Sequence, residues 1–508
     1  MKDLKNPTTH SKTSQKKKHS KTLPEKSLQE RHMLPRVKTG IVGLDEMLNG
    51  GLPKDIILLL AGSSGSGKTI LCLQWLFDGV KNGENGMYIT MTESLFMTLR
   101  NAETMSFFDR KAVEDEKLLV LDIRDILDHK TFNQEKTLKF IEDHVKKHKV
   151  QRLVIDSITA ILYIINDRDK VRSFIFELNK VLATLGCTTI LTSEIPKEGS
   201  YSVYGVEEYI SDGIICLTNI PGENQMVRRL QVIKMRGIEF RTGAVIFDIN
   251  SDGLIIYPKI PIDLKVASTE FKIRLDSGVP KFNQLIGGGY PQGHMVMLVG
   301  NTGSGKTTFG IHFLMAGLKK NEPCLYVALE ESITQIKKTA TGHGLDLEKY
   351  EKSGILKFLN PGLIDIYPDR ILYDIVNTTK KMKLKRIVFD STSSLESAAI
   401  NKNQVREFLL QFAGFCKSFG ITCVFTYLSE SVFESRSGNL LGGGASTELR
   451  LSSIVDGIIM LRYVERGQRV EKLLHVLKLR GSSHDKNIWQ YTTEQSGIKI
   501  GNKFKKKV

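Results

Sequence analysis

The sequence predicts an α/β fold built twice: two copies of one domain in tandem, each a mostly parallel sheet flanked by helices. Three observations carry this. Residues 39–69 and 277–307 align without a gap at an offset of 238, and 11 of the 31 positions are identical. Each copy alternates short apolar runs with longer amphipathic stretches, the pattern of strand–helix–strand units on a two-sided sheet. Each also places a G-x-x-x-x-G-K-T between an apolar run and a helical pattern.

Taken in order, residues 1–35 carry nine Lys/Arg against Asp3, Glu25 and Glu30 and few apolar side chains. Such a segment buries too little surface to fold alone, so it reads as a disordered basic N-terminal extension. The first copy follows over 36–262. Runs at 56–61, 87–91, 118–121, 152–156 and 188–192 read as strands, and 70–81, 134–147 and 170–185 as helices. Pro258 and Pro261 interrupt the pattern, and the second copy spans 263–500. Residues 153–156 recur at 387–390 with an offset of 234, and Lys234-Met235-Arg236-Gly237 recurs as Lys478-Leu479-Arg480-Gly481 with an offset of 244. Residues 501–508 read as a short basic C-terminal tail.

Composition narrows the class. An apolar fraction of 41% and a charged fraction of 25% fit a globular protein and exclude a disordered or fibrous chain. The net charge of +16 is concentrated at the ends, +6 in residues 1–35 and +4 in 502–508, leaving a modest +6 between them. Nucleic-acid binding by the core does not follow from charge. The longest apolar run is about six residues, against the roughly 20 that span a bilayer. Lys2, Asp3, Lys5, His10 and Lys12 precede no apolar signal segment. No membrane association is expected. Six cysteines with no C-x-x-C pair, mostly in apolar stretches, read as buried reduced thiols in a cytoplasmic protein.

The strongest local signal is the repeated glycine-rich loop. It runs through Gly62, Gly65, Ser66, Gly67, Lys68 and Thr69 in the first copy. In the second it runs through Gly300, Thr302, Gly303, Ser304, Gly305, Lys306 and Thr307, with Thr308 following. Glycines let backbone N–H groups curl around phosphates, and the helix N-terminus adds favourable partial charge. Lys68 and Lys306 can reach the β- and γ-phosphates of ATP, and the Thr69 and Thr307 hydroxyls can coordinate Mg²⁺. Asp156 and Asp390 each end an apolar strand, where a carboxylate can hold the same ion through its water shell. Glu330 and Glu331 follow the run at 325–329. They are the candidates to activate a water or a protein hydroxyl, with Glu330 also near enough in the pattern to serve the metal. The first copy has Thr92-Glu93 instead. Threonine is no general base, so either Glu93 takes the role or the first site is slow.

Phosphate loop, strand-end glutamate, strand-end aspartate and late K-x-R-G together resemble RecA-type ATPases, which makes the fold two tandem RecA-like P-loop domains. The duplication narrows the resemblance. Residues 36–500 resemble the KaiC family, the double-domain ATPases and autokinases of the cyanobacterial circadian clock and their bacterial relatives. The most specific match is STELRLSSIVD, Ser446 to Asp456. It implies Ser452 and Ser453 as phosphoacceptors, with Glu208-Tyr209 at the aligned place in the first copy. The resemblance implies a first domain that hydrolyses ATP and a second that also phosphorylates its own chain. It implies that Lys478 and Arg480 reach the nucleotide of the neighbouring subunit, with Leu479, Ser482, His484 and Lys486 beside it. Lys234 and Arg236 are their counterparts in the first copy. Sites shared in this way need a homo-oligomer, and the family forms a hexamer. In the implied mechanism Glu330 draws the proton from Ser452 or Ser453 of the adjacent subunit, and Lys306, Lys478 and Arg480 hold the charge. Reversal to ADP removes the phosphate.

Departures from the family shape the expected partners. The residues after Ile500 do not resemble the segment through which clock members bind KaiA, which counts against a KaiA-type partner. A KaiB-type partner, bound through the first domain, stays open. The basic N-terminal extension lies outside the clock pattern, so a stress-signalling ATPase fits as well as a clock or timer. Two other readings are carried. One is a RecA/RadA-like nucleic-acid-dependent ATPase, with 197–206 (including Tyr201 and Tyr204) and 435–446 as its loops, although both carry little net charge. The other is a nucleotide-gated scaffold with little turnover, suggested by Thr92.

Overall fold

The computed structural model describes residues 34–91, 94–124, 132–195, 200–221, 226–259, 273–362, 367–398, 402–429, 453–466 and 468–505. Of the residues singled out above, Thr92, Glu93, Pro261, 263–272, the whole of 435–452 (Ser452 with it) and 506–508 lie outside this set, as do most of the N-terminal extension and part of 197–206.

The apolar runs become strands. Arg36–Val37 (β1) pairs with Leu52–Pro53 (β2) in a small antiparallel ribbon. There follow Ile57–Gly62 (β3), Gly86–Thr90 (β4), Leu118–Asp122 (β5), Arg152–Asp156 (β6), Thr188–Ser193 (β7), Gly213–Pro221 (β8), Met226–Met235 (β9), Val245–Asn250 (β10) and Gly253–Ile256 (β11). They form one sheet in the order β11-β10-β9-β8-β3-β7-β6-β4-β5. The strands from β8 to β5 run parallel, while β9, β10 and β11 are antiparallel.

The second domain repeats this strand for strand. After the ribbon of Arg274–Leu275 (β12) and Tyr290–Pro291 (β13) come Met295–Gly300 (β14), Cys324–Ala328 (β15), Leu356–Leu359 (β16), Arg386–Asp390 (β17) and Thr422–Leu428 (β18). Gly457–Arg466 (β19), Arg469–Leu479 (β20), Ile488–Glu494 (β21) and Gly497–Lys503 (β22) complete it. The order β16-β15-β17-β18-β14-β19-β20-β21-β22 matches the first sheet position by position. The expected parallel sheets are there, each extended by antiparallel strands that periodicity did not reveal. β22 runs on to Lys503, where Trp489 pairs with it, so residues 501–503 are sheet and not tail.

Both faces of each sheet are buried, which is why the central strands read as continuous apolar runs. In β3, Leu58 and Leu60 pack with Trp75 and Phe77 of the helix Lys68–Lys81 on one face. Ile57 and Leu59 pack with Phe174 and Leu178 of Arg168–Leu185 on the other. The second domain divides the same way, Val296 and Leu298 toward Phe309 and Phe313, Met295 and Met297 toward Phe408 and Phe412. Helix ends follow local chemistry. Arg168–Leu185 begins two residues earlier than expected because the Asp167 side chain accepts the N–H groups of Asp169 (3.0 Å) and Lys170 (3.1 Å). It ends at Gly186, φ 63°.

A buried arginine pins the start of one central strand in each domain. Arg386 Nη1 donates to the carbonyls of Asp276 (2.6 Å) and Phe313 (2.8 Å), and Nε to Glu322 (2.5 Å). Arg152 does the same with Trp75 and Glu84, both at 2.6 Å. Among the described residues no helix is long and apolar enough to cross a membrane. All six cysteines are buried and unbridged.

Candidate nucleotide sites

Each phosphate loop leaves the C-terminal end of a central strand and enters a helix, Lys68–Lys81 or Lys306–Leu318. The glycines are needed for shape. Gly67 has φ 98°, and a Cβ there would sit 2.7 Å from Ile249 Cδ1. A Cβ on Gly300 would sit 2.5 Å from the Leu461 carbonyl oxygen. Lys68 Nζ donates back into its loop, to the carbonyls of Gly62 (2.7 Å) and Ser63 (3.0 Å). Lys306 does likewise with Gly300 (2.8 Å) and Asn301 (2.9 Å). Burial lowers both ammonium pKa values, against the opposing pull of Asp156 and Asp390. The buried Ser66 and Ser304 hydroxyls have no hydrogen-bond partner among the described residues. The cradle therefore offers unspent donors and a cation to a polyphosphate, and the loops fit ATP.

The strand-end aspartates sit beside these loops. Thr69 Oγ1 donates to Asp156 Oδ2 at 2.9 Å, and Thr307 Oγ1 to Asp390 Oδ2 at 2.8 Å. A hydroxyl and a carboxylate in contact are hard oxygen donors of the kind Mg²⁺ takes. Sequence reasoning missed what holds the carboxylates. Tyr88 donates to Asp156 Oδ2 (2.5 Å) and Thr192 to Oδ1 (2.6 Å). Tyr326 donates to Asp390 Oδ2 (2.7 Å), and Thr426 to Oδ1. Burial, and then the neighbouring aspartate, push the Tyr88 and Tyr326 phenols well above the usual tyrosine range. These pairs recur at the repeat offsets, a signal the sequence did contain. Asp156–Ser157 and Asp390–Ser391 are both cis peptides.

At the second site Glu330 accepts hydrogen bonds from Ser391 and from Ser394 Oγ (2.9 Å). Burial first, and then the charges of Asp390 and Glu330, raise the Glu331 carboxyl pKa. The first site's Glu93 lies outside the described residues. Glu194, at the end of β7, acts on the charge of Lys68. It was not anticipated, and Leu428 holds its place in the repeat.

The late cations stand apart from these loops. Lys234 Nζ donates to the carbonyls of Ser211 (2.7 Å) and Glu208 (3.1 Å), and Arg236 pairs with Asp212 at 3.3 Å. Lys478 Nζ donates to the Val455 carbonyl (2.8 Å), and Arg480 to the Ser453 carbonyl (2.9 Å). Burial, then the adjacent arginine, lowers both lysine pKa values. Leu479 pairs with Gly457, and Gly457 with Val296 at the start of β14, whereas the phosphate loop leaves β14 at Gly300. The structure thus puts loop and late cations at opposite ends of each sheet. Ser482, His484 and Lys486 follow at the cation end, partly or fully exposed, while Leu479 is buried in the core. Ser453 is exposed.

The antiparallel extension reaches the second loop directly. Lys472 Nζ donates to the Gly303 carbonyl (3.0 Å) and Tyr491 to that of Ser304 (2.6 Å). Beside Thr69 lies a cavity of about 330 Å³ lined by Ile70, Leu73, Asn101, Ala102, Thr104, Met105 and Phe107. Tyr201 and Tyr204, the candidates for base stacking, pack against the first domain's core.

Two like-ordered sheets, each with a phosphate loop and a hydroxyl–carboxylate pair at its mouth, define a tandem P-loop ATPase that binds ATP. The chain belongs to the KaiC ATPase family, whose model matches residues 37–260 and 275–505. It is 33% identical over 493 residues to the circadian clock protein KaiC3 of a Synechocystis species, covering 94% of each chain. It is 32% identical to the circadian clock oscillator protein KaiC of Parathermosynechococcus lividus, over 94% of this chain and 87% of that one. To its namesake in Prochlorococcus marinus it is 33% identical, over 92% and 91%.

Proposed function

We propose that this KaiC-like ATPase transfers the γ-phosphoryl group of ATP to Ser452 and Ser453 of its own second domain, across the interfaces of a ring. The separation of the phosphate loop from Lys478, Arg480 and Ser453 within one chain supports this reading. A subunit that holds ATP at one end of its sheet and offers an acceptor with two cations at the other is complete only beside a second copy. The arrangement is heterologous, and rings or filaments are its geometric outcome.

In the transfer, Lys306 and the loop N–H groups hold the phosphates, while Lys478 and Arg480 of the next subunit meet the charge on the moving group. Glu330, oriented by Ser391 and Ser394, or Glu331 accepts the serine proton, and the serine oxygen bonds phosphorus as ADP departs. Mg²⁺ held by Thr307 and Asp390, and by Thr69 and Asp156 at the first site, would neutralise phosphate charge. The cavity beside Thr69 is suited to the nucleotide base. The relatives' names make a timing role the natural output. A KaiB-type partner fits this reading, while a KaiA-type partner and nucleic acid do not enter it.

The test is intact-mass spectrometry with peptide mapping after incubation with Mg²⁺ and ATP. Wild type is expected to gain about 80 Da per phosphoryl group, and Ser452→Ala/Ser453→Ala to gain nothing in that peptide. ATP turnover without any gain in mass would refute the autokinase assignment.

A further inference from the structure

The Ser453 carbonyl meets Arg480, and the carboxylate that Arg480 shares, Asp456, also faces Lys417, a cation with no counterpart in the first domain. Asp456 is 2% exposed. Asp456 Oδ2 accepts the Met295 N–H (3.1 Å), while Oδ1 faces Lys417 Nζ at 3.0 Å and the Arg480 guanidinium at 3.8 Å. His294 adjoins the same carboxylate and is kept neutral chiefly by its burial. Lys478 is tied to the intervening Val455 carbonyl.

The first domain repeats the frame without the extra bases. Asp212 accepts the Ile57 N–H (3.1 Å) and pairs with Arg236, and Lys234 is tied to the Ser211 carbonyl. Lys417 stands three residues before Gly420, the residue that closes its helix. The equivalent residue before Gly186 is Ala183, and His294 is matched by Ile56. The added cation therefore lies behind the carboxylate that Arg480 shares with the Ser453 turn, and the first copy has Tyr209 at the position of Ser453. One carboxylate facing two cations leaves a net positive charge beside the exposed Ser453, and solvent reaches both the Lys417 and Arg480 side chains, 23% and 48% exposed. A phosphoserine brings a charge of about −1.5 to −2 and three strong acceptor oxygens.

We propose that Lys417 and Arg480 form a receiving site for the phosphoryl group on Ser453 of the same chain. The phosphate takes over the cations that Asp456 holds in the unmodified protein. Arg480, also assigned above to the neighbour's nucleotide, is then claimed from two sides. The inference rests on the autokinase reading only for how the phosphate arrives.

The full chain with phosphoserine installed genetically at position 453 separates the two claims. The readout is the second ionisation of the phosphate, followed by ³¹P NMR; its midpoint is near 6 for a free phosphoserine. The expected midpoint is lower by at least about half a unit, returns toward 6 in Lys417→Ala, and stays low in Lys417→Arg. Lys417→Ala copies a residue the first domain carries at the same position, and a melting curve checks its fold. A second readout is release by an added phosphatase, expected several-fold faster in Lys417→Ala. A midpoint near 6 in the unsubstituted chain, or one indifferent to Lys417, would overturn the proposal. A low midpoint in a protein that never labels itself from ATP would leave it standing and remove the autokinase.

Discussion

If Arg480 and Ser453 serve the neighbouring subunit, two inactive variants restore each other when mixed. Arg480 lies one residue past Leu479, whose register leads through Gly457 to Val296, while the phosphate loop starts at Gly300. At about 3.3 Å per residue, the strand alone separates them by roughly 13–17 Å. The Arg480 side chain moreover turns toward Ser453 and Asp456. Arg480→Ala keeps a working phosphate loop but loses the transferred cation, a loss worth about 10³ or more in rate for arginine fingers. Lys306→Ala loses the loop and keeps cation and acceptor. In a 1:1 ring one interface type is whole: the loop of an Arg480→Ala subunit facing the acceptor of a Lys306→Ala subunit. Random mixing gives about half of the Lys306→Ala chains such a neighbour. With that variant isotopically heavy, mass spectrometry of the mixed rings should find phosphate on up to about half of the heavy chains and on almost none of the light ones. Phosphate on the light chains, or none in either despite verified subunit exchange, would refute the argument from strand register.

Tyr326→Phe removes a 2.7 Å hydrogen bond to the Asp390 carboxylate, and such bonds to charged groups are worth about 1.5–3 kcal/mol. Thr307 and Thr426 remain, so the lower figure applies, and the Mg²⁺ concentration for half-maximal phosphotransfer should rise about tenfold. The raised Glu331 pKa means that its carboxylate form is fully available only above the ordinary glutamate value of 4.5. If Glu331 takes the serine proton, phosphotransfer should fall off on the acid side at a pH above that value, and Glu331→Gln should abolish this limb of the profile. An unchanged limb assigns the proton to Glu330 or to water. Arg386→Met leaves the Glu322 carboxylate and the carbonyls of Asp276 and Phe313 without their donor. Breaking a buried pair costs about 3–5 kcal/mol, so urea melts should show the second domain unfolding well before that of wild type.

What the sequence disclosed was what is local or repeated. The phosphate loops were legible because their glycines, lysine and threonine are contiguous, and the strands beside them because burial on both faces leaves an unbroken apolar run. The strands β9 and β20 were not. MVRRLQVIKM and RVEKLLHVLKL mix buried and exposed positions with a high charge content, so neither apolar count nor alternation stands out. With them went Lys472 and Tyr491, whose approach to the second loop depends on strand order alone. Tyr88 and Tyr326 were hidden for another reason: a tyrosine in an apolar run reads as core, and only pairing β4 with β6 and β15 with β17 brings each phenol to an aspartate. The late cations were legible as a motif, but their distance from their own loop was not, because it is set by the antiparallel turn of β20 against β19.

The six buried thiols carry a consequence of their own. Burial is the first cause raising each of their pKa values, to about 12 for Cys324 and well above the ordinary range for Cys72 and Cys423. Since oxidants and alkylating reagents attack cysteine as the thiolate, the thiols of the folded chain are nearly silent toward both. The ATPase is thereby shielded from hearing the oxidant level through its own cysteines. A single cysteine engineered onto the surface would also be a site-selective anchor for a probe, with no native residue needing removal first.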